Sequence, residues 1–190
     1  MKRTFAVILA VFFFGIMYGQ EKKTGFAQRW DLGISGGAIL YSDVAGFRGM
    51  METRAYLFKT AFDLNAFAGA GGLYAGTKNS AHSMTDIYGY ALCGADWFPL
   101  AKARSIFARL SLRTQLSFGG GYTSDTNGDG NKTGKPGLLF SPAIGADYGA
   151  GKLHMSLMLG YGMIMNENLR LTGTTIGLGA SYSIFDRSGK

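Results

Sequence analysis

Apolar and small polar residues alternate along the last part of the chain, from Thr175 to Phe185. The residues of one parity are all apolar: Ile176, Leu178, Ala180, Tyr182 and Ile184. The residues between them are Gly, Ser or Thr. Because successive side chains of a β-strand point to opposite faces, this pattern predicts a strand with one apolar face and one small, polar face.

Seven earlier segments alternate in the same way and are separated by turn-forming residues. They are Arg29 to Tyr41, Met51 to Lys59, Ala61 to Tyr74, Thr85 to Trp97, Ile106 to Phe118, Leu138 to Tyr148 and Lys152 to Met163. The fourth segment has two possible orientations, with either Ile87 and Trp97 or Tyr88 and Tyr90 on its apolar outer face. The sequence therefore predicts an all-β fold of eight strands.

Most charges within these segments share a face with Gly, Ser and Gln. The residues expected on this inner face are Asp31, Glu52, Arg54, Asp63, Arg109, Arg113 and Asp147. A soluble lipocalin-type barrel would instead line its interior with apolar residues. A transmembrane barrel turns its apolar face to lipid and keeps a polar interior, so we expect an eight-stranded antiparallel up-and-down transmembrane β-barrel.

The predicted connections alternate in length. The longer ones are Ser42 to Gly49, Ala75 to Met84, Thr123 to Pro136 and about Ile164 to Thr172, and the short ones include Lys59-Thr60 and Ala150-Gly151. Long outer loops and short periplasmic turns are typical of an outer-membrane meander. An even number of strands would return both termini to the periplasmic side.

Composition and the N-terminal segment agree with export. Lys2 and Arg3 precede an apolar run from Phe5 to Met17, and a cleavage point follows at Gly19-Gln20, which is the order of a signal peptide. We therefore expect residues 1–19 to be a signal peptide and residues 20–190 to form one barrel domain.

The chain is 47% hydrophobic and 16% charged with 30 Gly, and its single Cys93 excludes an intramolecular disulfide framework. The formal charge of +7 is scattered rather than clustered, which argues against nucleic-acid binding and allows contact with anionic lipopolysaccharide.

Two stretches resemble uncharacterised outer-membrane barrels common in Bacteroidetes-type bacteria. They are Trp30 to Val44, with its Gly36-Gly37 pair, and Ser141-Pro142-Ala143-Ile144-Gly145-Ala146-Asp147-Tyr148. The mature chain as a whole is similar to the small eight-stranded OmpA/OmpX-like and opacity-type barrels. The terminal strand also resembles the closing strand that the barrel-assembly machinery recognises. The resemblance implies architecture and an outer-membrane location rather than an activity.

Two motifs could carry chemistry. The loop residues Asp125, Asn127 and Asp129 are spaced like the first half of a calcium-binding loop, but position twelve is Pro136. We therefore interpret this segment, with Lys132 and Lys135, as a solvated loop that could contact a partner.

His154, Ser156 and Glu167 are comparable with the hydrolytic triad of lipid A deacylases. The strand pattern, however, points His154 and Ser156 into the barrel, away from a lipid substrate. We expect the protein to be non-enzymatic and to need no cofactor.

The expected role is structural in the cell envelope or mediated by the loops toward an extracellular ligand. Eight strands leave room only for side chains, so the charges should plug the lumen. The alternative is a narrow channel for ions or small solutes.

Overall fold

The computed structural model describes residues 28–41, 44–59, 63–78, 82–101, 106–127, 132–167 and 170–186. The predicted signal peptide, residues 1–19, lies outside them. The strands are β1 (Arg29–Tyr41), β2 (Val44–Lys59), β3 (Leu64–Lys78), β4 (His82–Trp97), β5 (Leu110–Asn127), β6 (Lys132–Ala150), β7 (Leu153–Asn166) and β8 (Arg170–Asp186). Each strand pairs with the next, and β8 pairs antiparallel with β1 to close the barrel. The predicted fold class is confirmed.

Alternation along the strands separates the two faces of the barrel wall. The outer face carries large apolar side chains that are widely exposed, for example Ile34, Ile144 and Leu178. The inner face carries the buried polar and aromatic residues. Within the described residues, no helix is long and apolar enough to cross a membrane.

The orientation of β4 follows from burial. Tyr88 and Tyr90 are buried inside the barrel, whereas Ile87 and Trp97 are exposed outside it. The first of the two predicted orientations is therefore the one observed. The tyrosines point inward because their hydroxyl groups find buried hydrogen-bond partners there.

Several inner glycines leave space for these large side chains. A Cβ at Gly71 would lie 2.7 Å from the Tyr90 ring, and one at Gly94 would lie 2.6 Å from the Phe67 ring. Phe67 and Gly94 are direct cross-strand partners. Small residues opposite large ones therefore allow a narrow barrel to hold a packed interior.

The predicted lengths of the four longer connections are wrong, whereas the connection predicted at Ala150-Gly151 is short as expected. We call the end of the barrel where β1 meets β2, β3 meets β4, β5 meets β6 and β7 meets β8 the hairpin end. The connections at this end are short and run over residues 42–43, 79–81, 128–131 and 167–169. The expected loop from Thr123 to Pro136 is mostly paired strand, with Thr123 opposite Lys135. Gly, Thr and Asp favour turns locally, but the backbone ladder between β5 and β6 continues through them.

The opposite end of the barrel, which we call the terminal end, holds Arg29 beside Asp186. Its longest connection runs over residues 98–109 and finishes in a 3-10 helix, Ile106–Arg109. The connection between β6 and β7 is a tight turn in which Gly151 has a φ of 69°. Glycine adopts such a positive φ without a steric penalty.

Candidate functional site: the polar lumen

Arg113 is the centre of the interior at the terminal end and is completely buried. Its Nε donates to Asp96 Oδ1 at 2.7 Å, and its Nη2 donates to Asp96 Oδ2 at 2.7 Å. The two residues face each other directly across β4 and β5. This bidentate arrangement is the strongest that a guanidinium and a carboxylate form.

Two more strands contribute to the surroundings of Arg113. Its Nη2 also donates to the Tyr56 hydroxyl at 3.0 Å, and that hydroxyl donates to Asp96 Oδ2 at 2.8 Å. Its Nη1 lies 3.1 Å from Asp147 Oδ1, which is an ion-pair distance. Side chains from β2, β4, β5 and β6 thus converge on one cation and cross the lumen.

A second group of contacts surrounds Glu52. Its Oε2 accepts from Arg54 Nε at 3.3 Å and from Arg54 Nη2 at 2.9 Å. Its Oε1 accepts from the Tyr90 hydroxyl at 2.8 Å and from Gln115 Nε2 at 2.9 Å. Four hydrogen bonds therefore satisfy a carboxylate that is 4% exposed.

Arg29 and Asp31 extend the charged cluster along β1. Arg29 Nη2 lies 3.0 Å from Asp31 Oδ2, and the Ser183 hydroxyl donates to Asp31 Oδ1 at 2.7 Å. The Arg29 guanidinium also lies 3.7 Å from the centre of the Tyr56 ring, a cation-π contact. These contacts link β1, β2 and β8 at the terminal end.

His154 completes the cluster on β7, where its Nδ1 lies 3.1 Å from Asp147 Oδ2. We call the following residues the charge network: Arg29, Asp31, Glu52, Arg54, Asp96, Arg113, Asp147 and His154. All eight are buried. Buried charges of this kind are tolerated because each one is paired or hydrogen-bonded.

An apolar layer lies further toward the hairpin end. It consists of the buried residues Leu73, Tyr88, Leu139 and Ile164. Beyond it, the Tyr88 hydroxyl lies 2.9 Å from Thr123 Oγ1, which donates to Asp86 Oδ1 at 2.7 Å. The interior is thus charged at the terminal end and apolar in the next layer, and the layer beyond that contains the buried polar residues Thr123 and Asp86.

The structure brings together five of the seven predicted inner charges: Asp31, Glu52, Arg54, Arg113 and Asp147. Asp63 instead lies in a bend before β3 with a φ of 56°, and its carbonyl accepts from the Phe98 amide. Arg109 is exposed in the 3-10 helix. The inward orientation predicted for Arg109 is wrong, because strand alternation does not apply to a helical turn.

The predicted loop residues are spread along the β5–β6 hairpin. Asp125 lies within β5 opposite Thr133, Asn127 ends β5, Lys132 begins β6 and Lys135 lies within β6. Asp129 lies outside the described residues. Among the residues that the structure describes, no group of three or more His, Cys, Asp or Glu could hold a metal ion.

Strand alternation alone missed several members of the network. Asp96 shares the inward parity of Tyr88 and Tyr90, which the sequence left undecided. Arg29 is the first residue of β1, and at a strand end the alternation gives little guidance. The contact of Tyr56, which lies outside the network, with Asp96 also has no signal in the strand pattern.

The residues of the possible hydrolytic triad are not close together. Ser156 is near the start of β7, and Glu167 follows its last residue, which places them roughly 35 Å apart along an extended strand. His154 contacts Asp147 inside the barrel. A His–Ser–Glu arrangement would need all three side chains within hydrogen-bonding reach.

No protein-family model and no curated protein sequence matches the chain. Among solved structures, Neisserial surface protein A (NspA) is 11% identical with a TM-score of 0.55, and the match covers 83% of this chain and 98% of that one. The attachment invasion locus protein Ail of Yersinia pestis is 13% identical (TM-score 0.47; 82% and 97% covered). The outer-membrane enzyme PagL is 11% identical (TM-score 0.47; 81% and 99% covered). The chain therefore has the fold of the small eight-stranded outer-membrane β-barrels, a fold that the similarity to NspA supports.

Proposed function

We propose that the protein is a non-enzymatic outer-membrane barrel whose lumen is plugged, and that it acts as a structural or surface-interaction component of the cell envelope. The exposed apolar outer face supports insertion in a bilayer, because a water-soluble chain rarely exposes so much contiguous apolar surface. Lipopolysaccharide and the barrel-assembly machinery are the expected partners.

The complete burial of Arg113 is the main observation that supports a plugged lumen. Its partners Asp96, Tyr56 and Asp147 come from three different strands, so together they cross the interior. An ion passing through would have to displace several charge-assisted hydrogen bonds, each worth about 1.5–3 kcal/mol. The apolar layer adds a second barrier in series.

Conductance in planar lipid bilayers tests this proposal against a narrow channel. We expect the wild-type protein to show no channel steps. Arg113→Ala combined with Leu139→Ala should leak, because it opens both the charge network and the apolar layer. Arg109→Ala is the matched control, since it removes an exposed arginine at the same end. Charge-selective steps from the wild-type protein would favour the channel.

The surface role is tested at the β5–β6 hairpin. Replacing residues 123–135 by a two-residue Asn-Gly turn should preserve the fold, because this turn suits antiparallel strands. If the hairpin carries the interaction, cells with the shortened protein lose attachment to an extracellular ligand and keep normal resistance to detergent. Loss of detergent resistance alone would instead indicate an envelope-structural role.

The remaining alternative, a lipid A-modifying hydrolase, depends on Ser156. The separation of Ser156 from Glu167 argues against it. We expect Ser156→Ala to leave the lipid A of the producing cell unchanged by mass spectrometry. A wild-type-dependent loss of an acyl chain that Ser156→Ala abolishes would contradict a non-enzymatic role.

A further inference from the structure

The connection between β4 and β5 exposes apolar side chains at the terminal end of the barrel. Leu100 is exposed near its start, and Ile106 and Phe107 are 69% and 56% exposed in the 3-10 helix at its end. Single exposed apolar residues are ordinary, whereas a group of them marks a surface that binds protein or lipid. This group therefore needs an occupant.

The apolar side chains of the connection continue the outer wall of the barrel. Leu100 follows Trp97 by three residues, and Ile106 precedes Leu112 by six. Trp97 and Leu112 are cross-strand partners, and both are exposed on the outer face. Since the proposed bilayer covers that face, the edge of the same bilayer is the nearest apolar phase for the connection.

Basic side chains accompany the apolar ones. Arg109 is exposed at the end of the 3-10 helix, and Lys152 is exposed in the turn between β6 and β7. The Lys152 Nζ lies 6.0 Å from the centre of the Tyr182 ring, which is exposed on the outer face. The sequence of residues 98–109 contains three basic residues and no acidic one. A long cationic side chain beside an outward aromatic ring suits the headgroup level of a membrane.

The two exposed basic residues are close enough to act on neighbouring lipids. Arg109 immediately precedes β5 and its helix lies against β6, whereas Lys152 immediately precedes β7. Since β5 and β7 flank β6, two strand spacings separate the residues, roughly 10 Å. Two acidic residues at this end, Asp63 before β3 and Asp186 at the end of β8, flank this sector rather than lie within it.

We propose that the terminal rim, which we define as Leu100, Ile106, Phe107, Arg109 and Lys152, binds anionic phospholipid. The apolar side chains enter the acyl region beside the barrel wall, and the two basic side chains contact the phosphate groups. Each basic residue near the surface favours an anionic membrane about fivefold. This inference rests on the proposed membrane location and adds the lipid class that one end of the barrel selects.

Quenching of Trp97 by brominated lipids measures this preference. Trp30→Phe leaves Trp97 as the single tryptophan, three residues from Leu100. The protein is folded into vesicles of equal parts phosphatidylcholine and phosphatidylglycerol, with bromine on the acyl chains of only one of them. We expect brominated phosphatidylglycerol to quench at least about twofold more than brominated phosphatidylcholine. Added salt should reduce the difference, because it screens the charges.

Two paired substitutions separate the terminal rim from net charge in general. Arg109→Gln/Lys152→Gln should make the two brominated lipids quench equally. Lys78→Gln/Lys132→Gln removes the same charge at the hairpin end, where β3 ends and β6 begins, and should keep the difference. In vesicles of phosphatidylcholine alone, neither pair should change the quenching.

A tryptophan in place of Phe107 tests the apolar part of the terminal rim. In a Trp30→Phe/Trp97→Phe background, Phe107→Trp should be quenched by brominated acyl chains and not by aqueous iodide. Strong iodide quenching would overturn the proposal, because it places the terminal rim in water. Shielding from both quenchers that grows with the protein-to-lipid ratio would also overturn it, since a second copy of the chain would then be the occupant.

The Trp97 measurement separates this proposal from the membrane location on which it rests. Equal quenching by the two brominated lipids would overturn the preference for anionic lipid and leave the membrane location intact. Quenching by neither lipid would contradict the membrane location itself.

Discussion

Arg113→Met removes the central cation of the charge network while keeping a long, unbranched side chain. The substitution deletes two hydrogen bonds to Asp96, one to Tyr56 and the ion pair with Asp147. The buried carboxylates of Asp96 and Asp147 then lose their main counter-charge. Breaking a buried pair by removing one partner costs about 3–5 kcal/mol, because the remaining charge stays desolvated. We expect a loss of that size in the free energy of unfolding.

Equilibrium unfolding by urea in lipid vesicles measures this loss through the fluorescence of the two tryptophans. Arg109→Met is the matched control and should change the free energy by less than about 0.5 kcal/mol, because Arg109 is exposed. Adding Asp96→Asn to Arg113→Met removes one stranded charge and should restore part of the loss, with a coupling energy of about 0.5–3 kcal/mol. An Arg113→Met protein within about 0.5 kcal/mol of the wild type would refute the reasoning.

Three further predictions concern the wall and the lumen. Tyr90→Phe removes one of the hydrogen bonds to Glu52 and should cost about 1 kcal/mol in the same unfolding assay, since Glu52 keeps its other donors; a cost above 3 kcal/mol would contradict this. Gly94→Ala places a Cβ against the facing carbonyl and an aromatic ring, and should cost about 1–3 kcal/mol. Gly72→Ala is its control, because a Cβ there meets its nearest atom only at 3.9 Å, and equal costs for the two would contradict the packing. Leu178→Arg should reduce the free energy of unfolding in vesicles by about 2–4 kcal/mol if that position faces the bilayer midplane. An unchanged free energy of unfolding would argue that position 178 faces water.

The fold could be predicted because its signal is local. Alternation in Leu110 to Phe118 assigns each side chain to a face without knowledge of its neighbours, and repetition over eight segments then implies a closed barrel. The same reasoning failed for Arg109, because the chain at that point has not yet entered a strand. It also failed for Thr123 to Pro136, where turn-forming composition hides a ladder that only strand pairing maintains.

The partners inside the lumen could not be predicted, because they depend on register and on the path of the strands around the barrel. Asp96 meets Arg113 through direct cross-strand pairing, which would follow once the register of β4 and β5 is known. Tyr56 meets Asp96 across the lumen instead. That contact depends on the diameter and tilt of the closed barrel, and no local pattern encodes either of them.

Cys93 allows the most direct test that the outer face lies in lipid. It is exposed on the outer face of β4, and its cross-strand neighbours are Ala68 and Leu116. A fluorophore attached to this thiol, in the protein folded into vesicles, needs no other change to the chain. We predict strong quenching by bromine atoms on the lipid acyl chains and almost none by aqueous iodide. Strong iodide quenching without lipid quenching would contradict a barrel that spans the bilayer.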